Sequence, residues 1–74
     1  MPIKVIRGKF LGVFQESPMS TLVGVVLRLR GGRPRVFYGE QRLVRDFLEG
    51  SKVSQGDNVV IHFKADWEWA IALA

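Results

Sequence analysis

The segment LRLRGGRPRVFYG, Leu27 to Gly39, carries four arginines within eight residues, Arg28, Arg30, Arg33 and Arg35, and no acid. Guanidinium groups grip phosphates through paired N–H donors, and their flat faces stack on rings. An aromatic side chain among them offers a face to a nucleobase. Phe37 lies two residues beyond Arg35, and Lys4, Arg7 and Lys9 lengthen the basic set near the N-terminus. Phosphate contacts beside an aromatic platform are what a nucleic-acid strand requires. A solvated strand face accounts for the same arginines, so both readings stand at this point.

The net charge of +4 is unevenly distributed. Residues 1–39 hold seven Lys/Arg against one acid, Glu16, for +6, whereas residues 40–74 hold four against six, for −2. Such a division gives a folded domain an electrostatic direction suited to a polyanion.

Other chemistries find less to work with. The chain has no cysteine and a single histidine, His62, so disulfides, thiolate metal sites and the usual zinc constellations are excluded. General acid–base catalysis needs a positioned pair, and the candidates His62 and Asp66 fall at opposite ends of one strand segment. No nucleophile elbow or phosphate-binding glycine loop is present, and no cofactor is expected. The sequence is therefore not read as an enzyme. It contains no run of about 18 apolar residues to span a bilayer and no signal-peptide pattern at its start, which reads as a soluble, cytoplasmic protein.

Period-two alternation dominates and predicts the elements that position these residues. Ile3 to Phe14 is a long strand, with Gly8 and Gly12 marking a bulge or bend. QESPMS, residues 15–20, is a turn. Thr21 to Arg30 places Val25, Leu27 and Leu29 on one face and Val26, Arg28 and Arg30 on the other. Gly31-Gly32 supplies a tight turn, and Arg35 to Tyr38 returns as the third strand. If Val36 and Tyr38 face the core, Arg35 and Phe37 point outward beside Arg28 and Arg30, with Arg33 at the tip. The period then changes. In EQRLVRDFLEG, Leu43, Val44, Phe47 and Leu48 share one helical face, and Gly50 stands where a capping glycine belongs.

After a turn at Gln55–Asn58, the strand Asn58–Lys64 sends Val59, Ile61 and Phe63 inward. Trp67–Leu73 sends Trp69, Ile71 and Leu73 inward, with Trp67 a further contact candidate at its start. Outward Ala70 and Ala72 would admit a close neighbour, such as a protein partner or a second copy in a homodimer. Seventy-four residues make one domain, 1–74, whose stability rests on apolar packing or association, and 47% hydrophobic content supplies the former. Three strands, a helix and two strands describe an all-β domain: a small five-stranded OB-type barrel with one short helix between strands 3 and 4. An SH3-like barrel is the alternative, differing chiefly in lacking that helix.

Two resemblances add to this. VSQGDNVVIHF, with Gly56-Asp57 ahead of alternating Val59 and Ile61, resembles the fourth-strand entry of S1 and translation initiation factor 1-like OB domains, which implies RNA binding. Arg7-Gly8-Lys9-Phe10-Leu11-Gly12 and Lys64-Ala65-Asp66 resemble the two motifs of TOBE or molybdate-binding Mop-type domains, which implies an oxyanion held at a subunit interface by Arg7 and Lys64. There Gly8 replaces an asparagine, and Asp66 brings a carboxylate where a hydroxyl donor is expected. The expectation is a basic protein that binds single-stranded DNA or RNA with low sequence specificity through Arg28, Arg30, Arg33, Arg35, Phe37, Arg7, Lys9 and Lys4. Oxyanion binding and a protein-interaction or assembly role on the same scaffold are the alternatives.

Overall fold

The computed structural model describes residues 4–65 and 68–74. Five strands, β1 (Lys4–Phe14), β2 (Leu22–Arg28), β3 (Pro34–Glu40), β4 (Asn58–Ala65) and β5 (Glu68–Leu73), form one antiparallel sheet in the order β3-β2-β1-β4-β5. The helix α1 (Gln41–Ser51) lies between β3 and β4 and packs mainly on β5. The architecture is the OB-type barrel, and the helix decides against the SH3-like alternative. Asp66 and Trp67, named above for an oxyanion motif and a contact role, lie outside the described residues.

In β2, β4 and β5 the inner face follows the sequence alternation, except that Leu73 at the end of β5 is exposed. Val25, Leu27, Val59 and Ile61 are fully buried, with Ile71, Val23, Val44, Trp69, Phe10 and Phe37 completing the core. Each buried aliphatic side chain contributes roughly 1.5–3 kcal/mol, which is how 74 residues hold a fold without staples. The sheet curls until its two ends meet: the indole N–H of Trp69 on β5 donates to the Tyr38 carbonyl of β3 at 3.0 Å, and the rings of Phe37 on β3 and Phe63 on β4 lie 5.8 Å apart. Gly39 makes room for that seam, because a Cβ there would stand 2.8 Å from the Trp69 ring and 2.9 Å from Val44.

Two local features change which residues share a face. A bulge between Phe10 and Gly12 shifts the β1–β2 register, so outward positions in β1 switch from Arg7 and Lys9 to Gly12 and Phe14. The second feature is the β2–β3 loop. A two-residue Gly31-Gly32 turn would set Arg28 opposite Arg35. Instead the Leu29 N–H donates to the Arg33 carbonyl at 3.2 Å, and the Gly32 N–H donates to Leu29 at 3.0 Å. The loop therefore has three residues, Arg30-Gly31-Gly32, with both glycines at positive φ (105° and 88°). Arg28 consequently pairs with Pro34, and Leu27 pairs with Arg35. A one-residue change of register sends every β3 side chain to the opposite face.

Helix α1 also ends differently from expectation. Gly50 lies inside it, and the left-handed capping position is taken by Lys52 at φ 55°, whose N–H reaches back to the carbonyls of Glu49 and Leu48. The Val53 N–H bonds to Leu48 as well, completing a Schellman-type stop. The Gly56-Asp57 pair has a structural job: the Asp57 carboxylate accepts the Ser54 N–H at 2.9 Å, and Gly56, at φ 92°, bonds the Phe10 carbonyl and ties the turn to β1.

Candidate nucleic-acid interface

Residues directly opposite in an antiparallel pair share a face, so the register defines the outer surface of β1, β2 and β3 row by row. From the hairpin end, the rows are Lys9–Arg28–Pro34, Gly12–Val26–Val36 and Phe14–Gly24–Tyr38. Arg7 precedes Lys9 on that side of β1, opposite Val60 of β4. Arg30 follows from the loop.

These placements bring Arg7, Lys9, Arg28 and Arg30 to one groove of about 430 Å³ at the hairpin end, where Gly8, Leu29 and Val59 also line the wall. Gly32, Asn58 and Ala74 complete the lining, and none of the described side chains there is acidic. Lys9 and Arg28 are cross-strand partners, and like charges directly opposite destabilise a sheet by a few tenths of a kcal/mol up to about 1 kcal/mol. The fold carries this cost with no acidic side chain among the described residues that line the groove.

Four of the eight residues expected to form the interface are thus gathered together. Arg33 is exposed at the hairpin tip, outside the groove. Phe37 and Arg35 require correction. Phe37 is only 9% exposed and faces the core opposite Val25, so it offers no outward ring. Arg35 follows it to that face and sets its guanidinium carbon 5.5 Å from the centre of the Phe37 ring, a cation–π contact. Both corrections follow from the three-residue loop. Lys4 is also displaced: it pairs with Phe63 and stands on the opposite side of β1 from Arg7 and Lys9, as its even number before the bulge would have indicated.

Among the described residues, the outward aromatic residues are Phe14 and Tyr38, which the sequence reading did not single out. Two signals pointed to them. Gly24 interrupts the apolar run Leu22–Leu27 of β2, which marks a close approach. A glycine-rich loop between strands also fits three residues as readily as two.

His62 is exposed on β4, as expected. It lines a separate cleft of about 240 Å³ with Leu43, Phe47, Lys64, Glu68 and Trp69, smaller than the ~300 Å³ at which small-molecule pockets begin. Arg7 is level with Val60, four residues before Lys64, so about 13 Å of strand separates the two cations of the oxyanion motif within one chain. Among the described residues, no group of three or more His, Asp or Glu side chains could hold a metal ion, and no helix is long and apolar enough to cross a membrane.

Fold and site together define a small OB-type barrel with a cationic groove beside its β2–β3 hairpin. Comparison with protein-family models, with curated proteins and with solved structures gave no match.

Proposed function

We propose that this domain binds single-stranded nucleic acid, DNA or RNA, by neutralising backbone phosphates in the groove of Arg7, Lys9, Arg28 and Arg30. The observation that carries this reading is the convergence of four cations, two of them cross-strand partners, in a groove lined by no acidic side chain among the described residues. A sheet that tolerates that repulsion is relieved when an anion arrives. Recognition through phosphates carries little sequence information, so specificity is low. Arg33 at the hairpin tip lies beyond the groove and lengthens the track.

Fluorescence anisotropy with labelled single-stranded oligonucleotides, DNA and RNA in parallel, tests the proposal. Four phosphate contacts give log K against log salt a slope of about −3 for single strands. No binding even at low salt would remove the nucleic-acid reading. It would bring forward an inorganic oxyanion, detected by a tryptophan fluorescence response to molybdate that Arg7→Ala abolishes, or a protein partner.

A further inference from the structure

The outer face of β1–β3 has a second zone beyond the cations. Phe14 and Tyr38 are the cross-strand partners of Gly24 on its two sides. Their rings meet edge to face across it, with centroids 5.9 Å apart at an interplanar angle of 72°. A Cβ at position 24 would stand 2.6 Å from Phe14 Cε1 and 2.6 Å from Val36 Cγ1. The missing side chain is therefore what lets the Phe14 ring lie down against β2. Both residues nevertheless remain 39% exposed, with Val36 beside them at 40%.

The rings share their face with the Lys9–Arg28 row, two rows away. Arg28 and Gly24 are four residues apart, about 13 Å along the strand. A ligand covering both zones must be anionic at one end and present flat apolar surfaces at the other. A single-stranded nucleic acid has that chemistry, whereas a duplex keeps its base faces stacked inside.

We infer that Phe14 and Tyr38 form a stacking platform for unpaired bases, over which a strand anchored by its phosphates in the Lys9–Arg28 groove is laid. The inference rests on the nucleic-acid reading of that groove and adds where the bases go. It also predicts a preference for single strands over duplex, because unpaired bases alone have free faces to stack.

Anisotropy of two labelled oligomers of equal length separates the two ideas: oligothymidylate, and an abasic oligomer with the same phosphates and no bases. The native domain is expected to bind oligothymidylate more tightly by roughly five- to a hundredfold, given the strength of base–aromatic stacking. Tyr38→Leu and Phe14→Leu, which keep apolar bulk and remove the π face, are expected to erase most of that difference. Affinity for the abasic oligomer and the salt slope should stay unchanged, and Tyr38→Phe should retain the preference. Equal native affinity for both oligomers would overturn the platform while leaving the groove reading intact. Leucine variants that weaken both oligomers alike would also overturn it, since the rings would then be acting as structural support. Absence of binding to either oligomer at low salt would remove the groove reading and the platform together.

Discussion

The two hairpins at the ends of the sheet, β2–β3 and β4–β5, make a controlled comparison. Inside, they are built alike: Val25 and Leu27 on one, Val59, Ile61 and Ile71 on the other, all essentially without solvent contact. Outside, they diverge. β4–β5 shows Val60, His62, Lys64, Ala70 and Ala72, whereas β2–β3 shows Arg28, Val36 and Tyr38. Packing demands fix the inner residues of both, so the inner faces are silent about function. The outer faces are free of that demand, and only one of them carries side chains that cost stability to display. Function is best sought where a sheet spends stability without structural return.

The comparison is tested most severely from the inside. Leu27→Ala and Ile61→Ala should each destabilise the domain by about 2–5 kcal/mol, by transfer and cavity terms, and by similar amounts in urea unfolding. A large disparity would show that the two hairpins are not equivalent halves of one core. On the outside the expected asymmetry is strong. Lys9→Glu combined with Arg28→Glu should lower oligonucleotide affinity at low salt by about a hundredfold or more, close to 2.7 kcal/mol, while His62→Ala on the opposite hairpin should change it by no more than about twofold. Equal losses from both would abolish the distinction between a loaded face and a blank one.

Gly39→Ala probes the seam that joins the two hairpins. Its methyl group would collide with the Trp69 ring and Val44, and overpacking of this kind costs about 1–3 kcal/mol. A melting temperature equal to that of the native domain would show that the seam adjusts freely. The smallest effect has the most informative sign. Arg28→Glu alone replaces a like-charge cross-strand pair with an attractive one and should raise stability by roughly 0.2–1 kcal/mol while weakening nucleic-acid binding. Loss of stability would mean that Arg28 is held by interactions other than those of its pair with Lys9.

The inner face was legible in the sequence because β2, β4 and β5 are apolar mainly at one parity: Val25 and Leu27 against Arg28, Ile61 against His62, Trp69 and Ile71 against Glu68. The helix was legible from its change of period, although its stop at Lys52 was not, since a lysine in the left-handed region has no pattern of its own. The cationic groove was half legible. Arg28 followed from alternation in β2, Arg30 from its place just beyond that strand, and Arg7 and Lys9 from the pairing of β1 with β2. The aromatic residues were misassigned because Val36, Phe37 and Tyr38 are apolar at both parities, so hydrophobicity cannot choose between frames. Phe14 was hidden for a related reason: it follows the bulge, where counting from the start of β1 gives the wrong side.

The three-residue loop at Arg30–Gly32 therefore works as a phase setting. The string Arg35-Val36-Phe37-Tyr38 can be read by the sheet in two frames, and the parity of the loop selects which half of its letters is addressed to solvent. Surface loops ordinarily absorb insertions and deletions with little consequence. At this tip, odd and even changes differ in kind. Two added residues would keep the frame and lengthen the arm, whereas removing one glycine would turn Phe37 and Arg35 outward and drive Val36 and Tyr38 into the core. A change of one codon would exchange one displayed surface for another on an unaltered strand, making the least structured part of the hairpin the part that decides what its most regular strand displays.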